Sequence, residues 1–265
     1  MRKLTLDEYA SVLPLLDSIQ NKAVYALSVI HGTQEGCVYV NEGKRTTSVF
    51  ITSCGGFYGL AGDETNDAFT QDVIQYMNNE SNHPDFFALG VYTKDWENKL
   101  HDYHIKHSRK ISRTYYRFNQ DRFINSYGEF DITLEKPFKY YPLDLDISTI
   151  YREQFYPYYQ LVWSSAEQFC AHGIGHFIMK HDELISVCTS PYVGGGYAEI
   201  DVITIEQYQR KGLASVVGLH FIQDCLSRNL IPNWSCHTDN AASNELARKL
   251  GFEEIGEHSM YWYHV

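Results

Sequence analysis

The sequence lacks three features that would each indicate a particular class of protein. No apolar run approaches the ~20 residues needed to span a bilayer, and Asp7 and Glu8 interrupt the start too early for a signal peptide. The six cysteines are scattered and include no C-x-x-C pair. We therefore expect reduced thiols in a cytoplasmic protein rather than a membrane-spanning or disulfide-stabilised one.

Positive charge is also scarce. The chain has 22 Lys and Arg residues against 33 Asp and Glu residues, which gives a formal net charge of −11. Because a nucleic-acid-binding protein would more often carry a basic face, we expect neither nucleic acid nor a membrane as a partner. An acidic surface suits a cationic amine substrate, although solubility is the more ordinary explanation.

Metal-binding and nucleotide-loop patterns are weak as well. His101, His104 and His107 fall at helical spacing, but the sequence places no carboxylate or cysteine beside them, so no metal site is predicted. The run Gly194–Gly196 lacks the Lys-Ser/Thr of a nucleotide loop and indicates a hairpin connection. The alternative is a loop that borders an acceptor site.

Two halves can be separated by pattern. Residues 1–135 are interpreted as an α/β domain that opens with a helix, where Thr5 and Glu8 form a capping box. This half contains no phosphate turn and could be a degenerate relative of the second half, residues 136–265. Residues 135–146 are interpreted as the connection. The other predicted elements of the first half are a hairpin (Gly36–Val40 and Thr47–Thr52), a helix (Glu64–Asn79) and two strands (Phe86–Tyr92 and Ser112–Asn119).

The most informative stretch is the Q-x-x-G-x-A turn at residues 209–214. Residues 198–204 before it alternate as in a half-buried strand, and an amphipathic helix follows it. Gly212 has no Cβ and lets a ligand approach the backbone closely. Amides at a helix start have no intrahelical partner and carry partial positive charge, which favours a pyrophosphate. Arg210 and Lys211 would add contacts to its oxygens; an ordinary strand-to-helix turn is the alternative.

The elements that follow make this turn more specific. They are a strand at Ile231–Cys236, a short helix that Asn240 leads and Gly251 ends, and a last strand at Ser259–Tyr263. This ordered combination resembles the GNAT N-acetyltransferase superfamily over roughly residues 160–265. Within it, the chain is most similar to a bacterial branch with a long, divergent N-terminal half, some members of which resemble antibiotic self-resistance acetyltransferases. The resemblance implies a GNAT-type mixed sheet flanked by helices in the C-terminal half, with an additional α/β domain before it.

The resemblance also implies acetyl-CoA as the cosubstrate. Its pyrophosphate would lie on backbone amides at the turn, and its pantetheine arm would run along the preceding strand like an added strand. In relatives, the residue at Val202 offers its amide to the thioester carbonyl, Thr204 pairs with pantetheine, and Asn240 hydrogen-bonds it. A plain helix cap is the other role open to Asn240. The expected cofactor-binding residues are Val202, Ile203, Thr204, Gln209, Arg210, Lys211, Gly212, Leu213, Ala214, Ser215 and Asn240.

An acceptor amine must lose a proton before it attacks, so a carboxylate beside the cofactor strand is a candidate general base. Glu199 is favoured, directly or through a water, with Asp201 second. The two share a parity and would face one side unless a bulge intervenes. Together with Val202 as the oxyanion donor, they are the predicted catalytic residues. A solvated strand face explains the two carboxylates equally well.

One position departs from the family pattern. Many relatives carry a tyrosine as general acid seven residues after the equivalent of Asn240, and this chain has Ala247 there. Either another group, such as Tyr261 or Tyr263, supplies the proton, or the thiolate leaves unassisted, or catalysis is feeble. For the two tyrosines, packing is the more ordinary role. Cys236 could suggest a nucleophile, but a buried strand cysteine is the more ordinary interpretation.

The sequence thus predicts an acetyl-CoA-dependent N-acetyltransferase that acts on the primary amine of a small molecule by direct attack in a ternary complex. Protein or peptide N-acetylation is an alternative within enzymes. A non-catalytic CoA-binding regulatory module is the alternative from another class, and the alanine at position 247 keeps it open. The N-terminal half would shape the acceptor pocket or form the interface of a homodimer.

Overall fold

The structure is a computed structural model that describes residues 1–83, 85–128, 133–155 and 159–264. The chain divides into two compact units, one formed by Met1–Arg113 with Glu257–Val265 and the other by Thr114–Gly256. The sequence-based boundary at residue 135 lies inside the second unit, and the division into independent domains there stays a prediction.

Strands are numbered in chain order over the described residues. They are β1 (Arg2–Lys3), β2 (Gly36–Val40), β3 (Ser48–Ser53), β4 (Phe57–Gly62), β5 (Phe86–Val91), β6 (Arg109–Phe118), β7 (Phe138–Pro142), β8 (Gly175–Lys180), β9 (Glu183–Thr189), β10 (Val193–Gly194), β11 (Tyr197–Glu199), β12 (Asp201–Thr204), β13 (Ile231–His237) and β14 (Phe252–His264).

The α-helices are numbered in the same way. They are α1 (Leu13–Leu16), α2 (Val24–Ile30), α3 (Asp67–Met77), α4 (Lys94–His101), α5 (Gln120–Tyr127), α6 (Leu145–Ile150), α7 (Tyr159–Val162), α8 (Ala166–His172), α9 (Leu213–Ser227) and α10 (Ala241–Lys249). Short 3-10 helices occur at Leu6–Val12, Gln20–Lys22, Glu80–Asn82 and Glu206–Tyr208, and a π-helical turn occurs at Tyr151–Phe155. Within the described ranges, no helix has the length and apolar character needed to cross a membrane.

The first unit is built on strands in the order β1-β2-β3-β4-β5-β14. Neighbouring strands are antiparallel except for the parallel pair β4–β5. Helix α3 begins where the Asn66 side chain accepts a hydrogen bond from the Phe69 amide and presents Phe69, Val73 and Met77 to the core. The spacing of four residues places these side chains on one face of the helix, so α3 is held by burial of that face.

The second unit contains two groups of strands. One has the order β12-β9-β8-β7 with antiparallel pairing throughout. The other includes the order β6-β13-β11-β10, in which β11 and β13 are parallel. Helix α9 contacts β8, β9, β12 and β13, and its apolar residues Val217, Phe221 and Ile222 are fully buried. This helix therefore packs on strands from both groups.

Most predicted elements are confirmed within a few residues. The capping box of Thr5 and Glu8 is present and opens a helix, which is of the 3-10 type. Three other elements are corrected. The last strand, β14, begins at Phe252 rather than at Ser259. The predicted connection contains β7, which pairs with β8; β7 is an edge strand whose last residue is Pro142, and such a strand gives a weak signal.

The run at residues 198–204, expected as one strand, forms two. β11 ends at Glu199 and pairs with β13, whereas β12 begins at Asp201 and pairs with β9. The side-chain alternation is the same in both pieces, and alternation does not indicate which neighbour a strand pairs with. The alternation of residues 198–204 therefore could not predict the split. The split between β11 and β12 creates the candidate site.

Candidate functional site

The site lies where the chain leaves one strand partner for another. β11 pairs with β13 as far as Glu199, which lies opposite Asn233, and the Ile200 amide then donates to the Asn233 carbonyl (2.9 Å). From Asp201 onward the chain pairs with β9 instead. The result is a wedge-shaped gap between β12 and β13.

The direction of the backbone groups in β12 follows from its register. The Ile205 amide donates to the Ile185 carbonyl (2.9 Å), and hydrogen-bonded pairs alternate along an antiparallel ladder. The backbone groups of Ile203 therefore face β9. Those of Val202 and Thr204 point the other way, to the side on which Ile200 bonds to β13. Two amides of β12 are thus directed into the gap.

A cleft of about 560 Å³ opens beside this gap. Every predicted cofactor-binding residue lines it except Lys211, which is exposed and lies outside the lining. The sequence also missed several lining residues, which come from the turn before α9 and from α10. The full lining is Val202, Ile203, Thr204, Tyr208, Gln209, Arg210, Gly212, Leu213, Ala214, Ser215, Asn240, Ala242, Ser243, Glu245, Leu246 and Lys249.

The N-terminus of α9 faces the cleft, since Gly212 and the first three residues of the helix all line it. Gly212 occupies the N-cap position in the left-handed region (φ +78°), and no side chain of the described residues caps the helix. The Val216 amide makes the first intrahelical bond, to the Gly212 carbonyl (3.2 Å). A Cβ added at Gly212 would meet no described atom within 4 Å. The amides of the first turn and the positive end of the helix dipole are therefore available to an anion.

The turn before α9 is fixed by side-chain hydrogen bonds. Gln209 Nε2 donates to the Thr204 carbonyl (3.1 Å), and the Thr204 hydroxyl bonds with that of Ser186 in β9 (2.7 Å). The Tyr208 hydroxyl accepts from Lys180 Nζ (3.0 Å). These contacts hold the end of β12 and the start of α9 in one arrangement, which is a requirement for a preformed anion site.

Asn240 caps the second helix of the cleft. Its side chain accepts from the Ser243 amide (3.1 Å), so the helix-cap interpretation is confirmed, and Asn240 also lines the cleft. Beneath it, the buried Asn244 accepts from the Tyr116 hydroxyl (2.5 Å) and from Cys236 Sγ (3.2 Å). Burial is the main cause that raises the pKa of the Tyr116 hydroxyl. Cys236 therefore belongs to a core hydrogen-bond network.

Glu199 is held by two side chains of β13. Asn233 Nδ2 donates to Glu199 Oε2 (2.5 Å), and Ser235 Oγ donates to Glu199 Oε1 (3.0 Å). Asn233 is 3% exposed. Sequence reasoning missed both donors, although polar Asn233 and Ser235 alternate with Pro232, Trp234 and Cys236 in β13. That alternation was a signal for one polar strand face.

Asp201 has different surroundings. It lies opposite Thr189 in β9, whose hydroxyl bonds with the buried hydroxyls of Tyr151 (3.3 Å) and Tyr159 (2.5 Å). Burial, to which the negative charge of Asp201 adds, holds the pKa of Tyr159 well above its usual value. Glu199 is thus bound on the β13 side, whereas Asp201 lies beside a buried tyrosine pair on the β9 side.

The position that lacks the family tyrosine is internal. Ala247 is fully buried in α10. The two tyrosines considered as substitutes belong to the first unit and pack there: Tyr261 donates to the Leu100 carbonyl (3.3 Å), and the Tyr263 ring lies 5.5 Å from that of Phe87. Their contacts are those of core residues.

The three histidines are not on one helix, because α4 ends at His101. His101 bonds with Asp102, and His107 bonds with Glu80. Within the part of the chain that the structure describes, no group of three or more His, Cys, Asp or Glu side chains is placed to hold a metal ion.

Comparisons with known proteins agree with this geometry. A GNAT acetyltransferase family model matches residues 14–261. The uncharacterized N-acetyltransferase YdfB of Bacillus subtilis (strain 168) is 28% identical over 265 residues, which cover 99% of this chain and 98% of that protein. The crystal structure of a GCN5-related N-acetyltransferase-like protein from Streptococcus suis 89/1591 has a TM-score of 0.73 at 22% identity, with 97% of this chain and 98% of that one covered.

A tandem GNAT protein from the clavulanic acid biosynthesis pathway has a TM-score of 0.61 at 9% identity, with 98% of this chain and 94% of that one covered. At these identities the structural likenesses speak to the fold alone. They confirm the predicted α/β class with a mixed sheet and flanking helices.

Proposed function

Because the chain belongs to the GNAT acetyltransferase family, we propose that it transfers an acetyl group from acetyl-CoA to the primary amine of a small molecule by direct attack in a ternary complex. The observation that carries this proposal is the divergence of β12 from β13 directly beside the uncapped N-terminus of α9. A thioester and a diphosphate on one ligand need both features together.

The diphosphate end suits the start of α9. Charge-assisted hydrogen bonds from the amides of Leu213, Ala214 and Ser215 would hold its oxygens, and Gly212 leaves the space that a Cβ would fill. Arg210 and Lys249 line the same cleft and add positive charge. The pantetheine arm would pair with the outward groups of β12 as an added strand.

The thioester end suits the wedge. When bound, acetyl-CoA supplies an activated carbonyl carbon and a thiolate leaving group. The outward amide of Val202 would donate to the carbonyl oxygen as negative charge develops on it. One such preorganised donor typically contributes about 3 kcal/mol of transition-state stabilisation.

Glu199 would accept a proton from the acceptor ammonium, directly or through a water. An ordinary aliphatic amine is neutral in only about one part in a thousand near pH 7, which costs about 4 kcal/mol without such help. The neutral amine nitrogen then forms a bond to the carbonyl carbon, and the bond from carbon to sulfur breaks. The nitrogen then loses its second proton, either to the departing sulfur, directly or through a water, or to solvent when the thiolate leaves as the anion. Glu199 returns the proton that it accepted to solvent.

The test is release of free thiol from acetyl-CoA against a panel of small amines, aminoglycosides, polyamines, amino acids and peptides. We expect release that depends on one class of small amine. Glu199→Gln should lose most of this turnover while it keeps its affinity for CoA. Glu183→Gln, which changes an exposed carboxylate at the start of β9, opposite Lys180 in β8, should not. Equal turnover rates for Glu199→Gln and the wild type would refute the assignment of Glu199 as the general base.

Two other results would replace the proposal. Release with peptides alone would assign the chain to peptide or protein acetylation. Tight CoA binding without amine-dependent release across the panel would favour the non-catalytic regulatory module, in keeping with the buried Ala247.

A further inference from the structure

The side chains of Asn233 and Ser235, here called the carboxylate clamp, each donate one hydrogen bond to Glu199. We propose that the clamp residues are positioning residues for acyl transfer: they fix the direction of the Glu199 carboxylate and keep it ionised at the closed end of the wedge, where β11 is still paired with β13. This inference rests on the proposed role of Glu199 as the base.

The backbone fixes the clamp in place. Glu199 and Asn233 are register partners in a parallel pair, and side chains of paired residues lie on the same face of a sheet. Ser235 lies two residues beyond Asn233 and shares that face. The bond from the Ile200 amide to the Asn233 carbonyl (2.9 Å) is the last link before the strands diverge. The clamp therefore holds Glu199 three residues before Val202, the proposed oxyanion donor.

The two hydrogen bonds of the clamp go to different oxygens of the Glu199 carboxylate, and this fixes its orientation. One donor contacts Oε2 and the other contacts Oε1, so the carboxylate cannot rotate without losing both. A carboxylate oxygen can accept more than one hydrogen bond. Glu199 can therefore accept a hydrogen bond from an N–H of the acceptor amine while the clamp residues donate to it.

Burial makes the clamp effective. Asn233 is 3% exposed, so water competes little for its amide. Hydrogen bonds to a carboxylate favour the ionised form. If the clamp serves the base, its removal should change the pH dependence of catalysis, a quantity that a merely structural pair would leave unchanged.

Asn233→Asp is the sharpest single variant, because it keeps the shape and replaces a donor with a second carboxylate. Like charges at this distance make one of the two groups retain a proton. In a plot of kcat/KM against pH, we expect the acidic limb, on which activity rises as the base loses its proton, to move to higher pH. Near neutral pH, kcat/KM should fall about 10- to 100-fold, because the hydrogen bond that is lost involves a charged group. Binding of CoA should stay within about twofold, since neither clamp residue lines the cleft.

Ser235→Ala should lower kcat/KM about 10-fold with a smaller movement of the limb, and Ser235→Thr, which keeps the hydroxyl, should restore both. The matched control is Ser190→Ala. Ser190 is fully buried, and its hydroxyl accepts from the Ile174 amide (2.8 Å), so its loss should reduce stability without moving the limb.

A double-mutant cycle with Glu199→Gln decides whether the clamp acts through Glu199. We expect Asn233→Asp to have little further effect on kcat/KM in the Glu199→Gln background. Full additivity, or an unmoved acidic limb in every clamp variant, would overturn the inference while leaving the proposed function intact. A wild-type protein without amine-dependent thiol release would overturn both.

Discussion

Gly212 and Gly196 form a natural pair for separating backbone strain from ligand contact. Both lie in the left-handed region, with φ values of +78° and +82°, and an added Cβ would meet no described atom within 4 Å at either position. Both are exposed. They differ in place: Gly212 lines the cleft at the start of α9, whereas Gly196 lies in the turn between β10 and β11 and outside that lining.

Replacement of either glycine with alanine should therefore cost a similar free energy of unfolding. A non-glycine residue in the left-handed region costs about 1 to 2 kcal/mol, and the open surroundings add no steric cost. Denaturant unfolding of Gly212→Ala and Gly196→Ala should give decreases in this range that agree within about 0.5 kcal/mol.

The CoA affinities should differ. At Gly212 the new methyl group would occupy the space in which the diphosphate approaches the α9 amides. The loss of one or two charge-assisted bonds, each contributing about 1.5 to 3 kcal/mol, predicts a 10-fold or greater rise in Kd. Gly196→Ala should bind CoA like the wild type in isothermal titration. Equal affinities for the two variants would refute the placement of the diphosphate at this turn.

Three further predictions concern stability. Asn66→Ala removes the N-cap of α3 and should lower the free energy of unfolding by about 1 kcal/mol in denaturant titration. Tyr116→Phe leaves the buried Asn244 without one donor and should cost about 1 to 2 kcal/mol in the same assay. Burial, with a smaller contribution from Lys22, lowers the pKa of His258 to about 4, so the unfolded chain binds its proton first as the pH falls below about 6.5. A pKa shift from 6.5 to about 4 corresponds to about 3 kcal/mol, but His258 is only half-buried and solvent screens part of this effect. Stability should therefore fall by about 2 kcal/mol between pH 6.5 and 4, and His258→Gln should flatten that part of the profile; an unchanged slope would contradict the assignment.

The features of the site that could be predicted from the sequence are those that depend on residues close together in the chain. The turn at residues 209–214 is recognisable because a glycine, a helix start and an alternating strand each leave a local pattern. Asn240 was found for the same reason, since its cap depends on the three residues that follow it. Such features require no knowledge of which strands are neighbours.

The features of the site that the sequence did not predict depend on which strands pair with each other. The split at Ile200 depends on pairing with β9 and β13. In the sequence β9 precedes Ile200 and β13 follows it, and neither strand is adjacent to it. The donors to Glu199 depend on a parallel register with a segment 34 residues away. The alternation of Asn233 and Ser235 showed a polar face, but only the register identifies the carboxylate that this face holds.

Hydrogen exchange of the backbone amides with and without acetyl-CoA tests the central claim most directly. The account predicts new protection at Val202, Thr204 and the first turn of α9, whose amides point into the gap and the cleft. The Ile203 amide faces β9 and should show no comparable gain, which makes it an internal control. Protection confined to other segments, or equal gains at Ile203 and its two neighbours, would contradict the proposal that acetyl-CoA binds between β12 and β13.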